Sequence, residues 1–262
     1  MMSPKRGIDR LSALIDRFRI RAFVAQGPED PIRPNLFLVS NAYCSKGTGM
    51  DELVFRPRGE AEGIDIDAVV VAARVELGGE GAPLALALPR EVRVDLCQAP
   101  ALAAVATVLR DEVESPRCGH QAAVDRLCEV VVIRLLRHAI ASGNAGGGLI
   151  AGLAHPQLAL ALVAMHEAPE RAWRLEDLAE VAGMSRTVFA TNFREIVGQT
   201  PGAYLANWRL IVARQEIAGG LPLKTVAGRV GFSSAAAFTR AYQRAYGHPP
   251  REDRKAMLQA AE

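Results

Sequence analysis

From Ile8 to Phe18 the apolar side chains fall at 8, 11, 14, 15 and 18, a spacing that predicts a short amphipathic helix. Beyond about residue 20 the texture changes. Short β-branched or alternating runs at Leu36–Val39, Leu53–Phe55, Val69–Val71 and Val92–Leu96 are separated by Gly- and Pro-containing stretches at 27–34, 47–49, 57–63 and 78–83. Strands punctuated in this way predict a small barrel or sandwich. Residues 99–141 return to helical spacing. Within Asp125–Ala141 the core candidates are Leu127, Val131, Leu135 and Ile140, while Val130, Ile133, Leu136 and Arg137 fall on other faces. A helix apolar around so much of its girth needs a deep core or a partner helix. Ser142–Gly148 is glycine-rich and reads as a flexible linker, dividing the chain into expected domains at 1–145 and 146–262. From Leu149 onward helix follows helix with short connections.

The helical half contains an internal repeat. Leu175–Gly198 and Leu223–Gly247 match at Leu175/Leu223, Ala179/Ala227, Gly183/Gly231, Ser185/Ser233, Phe189/Phe238, Phe193/Tyr242 and Gly198/Gly247, and Pro201/Pro250 follow. On this matching one extra residue enters the second copy between its serine and its phenylalanine. Each copy has the layout of a helix-turn-helix. A small alanine lets two helices approach, a glycine supplies the backbone freedom of a sharp turn, and a serine, Ser185 or Ser233, is expected to cap the second helix. Phe189, Phe193, Ile196 and Val197 then face inward, with Arg186, Thr187, Ala190, Thr191 and Arg194 outward. In the second copy Phe238, Tyr242 and Ala245 face inward, with Ala235, Ala236, Thr239, Arg240 and Gln243 outward. Between the copies, Ala203–Ile217 reads as one helix with Leu205, Trp208, Val212 and Ile217 available for packing. Such a spacer can hold two recognition helices in successive major grooves, ~34 Å apart on one face of DNA. A single helix pair with a glycine turn occurs in many proteins that never touch DNA; two copies in a basic stretch are what point to it.

Charge supplies that stretch. The chain of 262 residues carries a formal charge of only +2, which excludes a histone-like coat of positive charge. Residues 171–251, however, hold eleven Arg or Lys against five acidic residues, a local +6, leaving −4 for the remainder. Half the residues are hydrophobic and 23% charged, enough for two cores and too many for global disorder. Cys44, Cys97, Cys118 and Cys128 are widely spaced, with neither a paired motif nor a nearby histidine cluster, and read as plain thiols rather than a disulfide or zinc framework. The first ten residues lack the apolar run of a signal peptide, and no run approaches the ~18 apolar residues of a membrane span. The expectation is a cytoplasmic protein without a membrane partner.

Residues 155–255 resemble the DNA-binding domain of the AraC/XylS family of bacterial transcription regulators. The likeness is carried by Trp173–Ala179 (WRLEDLA), Gly183–Arg186 (GMSR), Val197–Pro201 (VGQTP), Val230–Ser234 (VGFSS) and the closing Gly247–Arg254. Two positions depart from the family pattern: Arg174 stands where a capping Thr or Ser is common, and Asp253 where a Tyr is usual. The resemblance implies that the outward faces read double-stranded promoter DNA. Arg186, Arg194, Arg240 and Arg244 are then phosphate or guanine contacts. Thr187, Ala190 and Thr191, with Ser234, Ala235, Ala236 and Thr239, are short side chains suited to thymine methyls or close approach. Asn192 either pairs with adenine or is a flank residue bonded to water. RNA polymerase is the implied further partner, and activation the implied effect.

In the first half, Asp51–Glu62 is similar to a segment of the cupin-like N-terminal domain of one AraC subgroup, a segment that usually ends Pro-Arg-Gly-Asp-Ala-His; Gly79–Pro83 and Leu86–Pro89 are similar to the same domain. The implied fold class is α+β: an N-terminal cupin-like β-barrel, shortened because residues 21–50 are too few for the usual first strands, with flanking helices, then an all-α domain of two helix-turn-helix units. Glu62 occupies the histidine position. The five histidines (120, 138, 155, 166, 248) all lie outside the strand region, whereas a metal-dependent cupin enzyme needs several His and a carboxylate on one metal. No enzyme, metal or cofactor is therefore expected. A small-molecule effector and a homodimer paired through 125–141 are the expected gates; the alternatives are an interaction platform without ligand and, more remotely, a redox sensor using Cys44 or Cys97. Arg56, Arg58, Glu60 and Glu62 are read as solvated turn charges.

Overall fold

The computed structural model describes residues 11, 20–24, 33–40, 52–59, 63–77, 88–142 and 148–259. Apart from Leu11, the helix expected at 8–18 lies outside the described residues, as do the glycines of 143–147, the segments 79–83 and 86–87, and Cys44, Glu60 and Glu62. The chain divides into two compact units, the first spanning Phe18–Ala154 and the second including His155–Glu262.

Five strands of the first unit, β1 (Ile20–Val24), β2 (Leu36–Val39), β3 (Glu52–Phe55), β4 (Val69–Leu77) and β5 (Val92–Asp95), form one antiparallel sheet ordered β1-β4-β2-β3-β5. This is the cupin-like, antiparallel half of the expected α+β class. β4 is longer than its opening Val69–Val71 suggested. Val71, Ala73 and Val75 are buried while Ala72, Arg74 and Glu76 are half-exposed, so the alternation carries the strand on to Leu77. β2 and β3 lie inside the strand order and bury consecutive residues, Leu36–Leu38 and Leu53–Phe55, as strands covered on both faces do.

Asn35 joins β2 to β4. Pro34 has no N–H to give the ladder, and the fully buried Asn35 carboxamide takes over: Nδ2 donates to the Val75 carbonyl at 2.9 Å and Oδ1 accepts from the Val75 N–H at 2.7 Å. Beyond β3, Arg56 is not the solvated turn charge expected. Its side chain is 11% exposed and meets Glu91 at 2.6 Å; Glu91 in turn meets Arg93 at 2.6 Å, and Arg93 meets Glu52 at 2.8 Å. The ladder register explains this chain of charges, because β5 lies beside β3 and sets Glu52 opposite Asp95 and Phe55 opposite Val92. The hydrogen bond from Arg93, helped by Arg56, holds the Glu91 carboxyl below the usual carboxylate range. Arg58 donates to the Leu88 carbonyl at 3.3 Å.

Helices α1 (Pro100–Glu114) and α2 (His120–Ser142) pack on each other, and α2 also packs on β1, where Gln121 donates to the Ala22 carbonyl at 3.0 Å. Packed against α1 and β1 and also against β5 and the next helix in the chain, α2 buries a wide stripe: Val124, Cys128, Val131, Val132, Leu135, Leu136 and Ala139. Leu127 and Ile140, both expected in the core, are only half-buried, and Leu136 is inside. Burial pushes the Cys128 thiol up to about 12. α3 (Leu149–Ala154) closes the unit.

The second unit is helical: α4 (Leu158–Glu167), α5 (Leu175–Val181), α6 (Arg186–Val197), α7 (Pro201–Ala218), α8 (Leu223–Arg229), α9 (Ala235–Tyr246) and α10 (Pro250–Gln259). α7 is its spine and packs against α6, α8, α9 and α10. Leu205, Trp208, Val212 and Ile217 are buried as expected, joined by Tyr204, Leu210, Ile211 and Ala213. α4 docks on it through His166, fully buried, whose Nε2 lies 2.6 Å from the Tyr204 hydroxyl and whose ring stands 4.1 Å from that of Trp208.

Replacing Asn35 by Ala leaves two backbone groups of Val75 without their side-chain partner. Chemical denaturation of Asn35→Ala should register a loss of about 2–4 kcal/mol. A loss below about 1 kcal/mol would show that the carboxamide is not the link between the strands.

Candidate nucleic-acid interface

Both helix-turn-helix units are built by the same local rules. At the end of α5, Gly183 has φ +63° and the Met184 N–H reaches back to the Ala179 carbonyl at 2.9 Å; at the end of α8, Gly231 has φ +82° and the Phe232 N–H reaches the Ala227 carbonyl at 2.9 Å. The left-handed glycine turns the chain while these six-residue closures satisfy the last carbonyls of each helix. Ala179 and Ala227 are buried where the paired helices meet. Asp177 accepts the Arg174 N–H at 3.0 Å, so half of a capping box survives at the start of α5 although a guanidinium cannot supply the other half.

The caps correct the alignment of the copies. Ser185 Oγ accepts from the Val188 N–H at 3.4 Å, as expected, but in the second copy the cap is Ser234, not Ser233, accepting from the Ala237 N–H at 3.1 Å. Counted from the caps, Phe189 and Phe238 are equivalent without a gap. The extra residue therefore lies in the turn, ahead of the helix, where it lengthens a loop instead of disturbing a 3.6-residue period.

The inward faces hold Phe189, Phe193 and Val197 in α6, with Ile196 half-buried, and Phe238 and Tyr242 in α9. Ala245, expected inside, is exposed: the buried face of α9 is the narrow Phe238–Tyr242 pair, and Ala245 falls to its side near the helix end. Of the outward candidates, Arg186, Thr187, Thr191 and Arg194 are exposed on α6, with Ala190 and Asn192 half-buried at the edges; Ser234, Ala235, Ala236, Arg240 and Arg244 are exposed on α9. Thr239 is half-buried and its hydroxyl donates to the Ala235 carbonyl at 2.9 Å. Val188, 49% exposed on α6, is an outward residue that periodicity did not single out, because a valine among aromatic core positions reads as core. Arg186 meets Glu176 of α5 at 3.1 Å. Arg194, Arg240 and Arg244 have no ion pair among the described residues, and α9 contains no acidic residue.

Two clusters position these helices. Arg209 of α7 donates to the carbonyls of Pro169, at 2.7 Å, and Arg171, at 2.8 Å, fixing the segment between α4 and α5. Gly231 is pressed onto that same segment: a Cβ there would stand 2.7 Å from the Glu170 carbonyl oxygen. At the other end Asp253 accepts from the Tyr242 hydroxyl and pairs with Arg214 at 3.2 Å and His248 at 3.6 Å, tying α10 to α7 and α9. Burial, reinforced by Asp253, pushes the Tyr242 hydroxyl up from its ordinary value. The departure at 253 thus serves packing behind the outward face.

Comparison with known proteins agrees with this architecture. A helix-turn-helix domain model matches residues 178–256 and a cupin model matches residues 21–141. An AraC-like transcription regulator of Streptomyces lividans is 38% identical over 133 residues, 50% of this chain and 44% of its own length. The transcriptional regulator AlkR of Acinetobacter baylyi is 36% identical over 145 residues, 55% and 47%. RclR of Escherichia coli, named as an RCS-specific transcriptional activator, is 35% identical over 154 residues, 58% and 54%. The chain belongs to the AraC family of transcription regulators. It spans about half the length of these curated relatives. The AraC-family match joins the two halves that the sequence presents, a cupin and a helix-turn-helix domain. Among the described residues no helix is long and apolar enough to cross a membrane, and no three His, Cys, Asp or Glu side chains gather as metal ligands. Cys97 and Cys118 are exposed and Cys128 is buried.

The two turn glycines are expected to differ under substitution. Gly183→Ala meets only the left-handed backbone penalty, about 1–2 kcal/mol, since its nearest neighbour would be 3.9 Å away. Gly231→Ala adds a backbone collision and should cost about 2–5 kcal/mol. Equal losses in urea denaturation would show that the Glu170 contact does not hold the second turn.

Proposed function

We propose that the chain is a sequence-specific regulator that binds double-stranded promoter DNA through α6 and α9, makes contact with RNA polymerase, and activates transcription. Two like-built helix-turn-helix units on one buried spine, with Arg194, Arg240 and Arg244 presented outward and unpaired among the described residues, carry this reading. An exposed guanidinium with no acidic neighbour is what a phosphate or a guanine edge requires. Thr187, Thr191, Ala235 and Ala236 are small enough for the backbone of each helix to approach base edges, with Ala190, Asn192 and Thr239 at the margins of the same faces. Ser234 spends an acceptor on its cap and keeps its hydroxyl proton to donate to a phosphate. The activator named among the relatives supports activation. The setting of this function is the cytoplasm.

The cupin match supports a sensing role for the first unit, gated by a small-molecule effector or by homodimerisation, the latter through the part of α2 turned away from α1 and β1, where Val130 is exposed. A second reading makes this unit a protein-interaction platform without a ligand; exposed valines on both helices, Val108 and Val130, favour it.

Arg194→Ala and Arg240→Ala should each weaken binding to a duplex enriched from a random library by roughly tenfold or more in gel-shift titrations, with the melting temperature unchanged. Unaltered affinity in both would remove the assignments. Thermal shift of the full chain against a metabolite panel separates the two readings of the first unit. A ligand at a hundred times its Kd adds about 2.7 kcal/mol of stability, whereas a platform shows no shift.

A further inference from the structure

We infer that Glu176 is a positioning residue that makes Arg186 a base reader and denies it to phosphate, an inference that rests on the DNA-binding reading above. Arg186 is the first residue of α6, directly after the Ser185 cap. The N-terminal residues of a recognition helix are those that contact base edges. A cation in this place opposes the helix dipole, whose positive end is there, and the Arg186 side chain is 68% exposed, so packing does not fix it. What it has is Glu176: Nη1 lies 3.1 Å from Oε1. The carboxylate comes from a different helix, so the pairing depends on the α5–α6 junction, where Leu178, Ala179 and Phe189 are buried, and not on the helical repeat of either partner.

The pairing selects among DNA groups. A guanidinium beside a carboxylate has its charge partly offset, even at a pair as exposed as this one, with Glu176 58% exposed, and an incoming phosphate would meet the carboxylate at close range. A guanine edge is uncharged and needs two N–H donors for O6 and N7; the guanidinium has five, of which one is engaged. Arg186 therefore keeps its capacity for guanine while its attraction for the backbone is weakened. Arg194, Arg240 and Arg244, with no such neighbour among the described residues, keep both. Counted from the caps, the equivalent of Arg186 in α9 is Ala235. The guanine reader at a helix start is thus present in the first copy alone, and the recognised DNA should show one G·C pair assigned to it.

The test uses the full chain as wild type, Glu176→Gln, Arg186→Ala and the double variant, with two probes: a random duplex library for enrichment and an unselected duplex for salt titration. Glu176→Gln should steepen the dependence of log affinity on log salt for the unselected duplex by about 0.9, the increment of one gained phosphate contact. Arg186→Ala should leave that slope unchanged and lose one G·C pair from the enriched motif, and the double variant should match it. A slope flattened by about 0.9 in Arg186→Ala would overturn the inference, because Arg186 would already hold phosphate beside Glu176. So would a Glu176→Gln protein with altered melting temperature but wild-type slope and motif, the signature of a charge that serves only the helix. Wild-type protein that neither enriches a motif nor binds the unselected duplex overturns the DNA-binding reading itself.

Discussion

The burial of α7 is the constraint on which the second unit depends. An eighteen-residue helix that hides Tyr204, Leu205, Trp208, Leu210, Ile211, Val212, Ala213 and Ile217 has little free surface, and each neighbour takes a different strip of it. α6 docks on one part, α8, α9 and α10 on others, and α4 through the His166–Tyr204 bond. A close-packed interior of this kind does not deform smoothly. The two outward faces are held by one rigid body, and their separation is set by aromatic packing inside the unit, not by contacts with DNA.

Around that spine the polar clusters have a division of labour. Arg209 and Gly231 bring the second turn onto the segment that leads into α5, so the two copies share a strut that neither would have alone. Asp253 anchors the opposite end with Tyr242, Arg214 and His248. Arg209 and Arg214, which bind backbone or carboxylate behind the outward faces, are different residues from Arg194, Arg240 and Arg244, which are presented outward; among the described residues Arg186 alone of the outward candidates is also paired, with Glu176. Arginine count alone could not distinguish them; the partner of each guanidinium does.

Much of this was legible in the chain. The repeat, its glycine turns, its aromatic inward faces and the spacer helix follow from side-chain periodicity, which is local and survives folding. The misread positions are those decided by non-local geometry. Ser233 and Ser234 are adjacent serines, and only the backbone direction at the turn settles which one caps. Arg56 looked like a turn charge because Glu91, its partner, is thirty-five residues away and arrives through strand pairing. β1 escaped notice since Ile20–Val24 carries one Arg and one Ala among its five residues, too mixed for an alternation rule, and is recognised as a strand by its register with β4. Glu176 drew no attention as an acid in a first helical turn, an ordinary place for one; its meaning appears when α6 is laid beside it.

The longer second turn bears on any attempt to redesign what the molecule reads. Transplanting outward side chains from one copy to the other keeps its register when positions are counted from the capping serines. Counted from the turn glycines, the graft arrives one residue out of step, and each transplanted group points ~100° around the helix from where it was meant to lie.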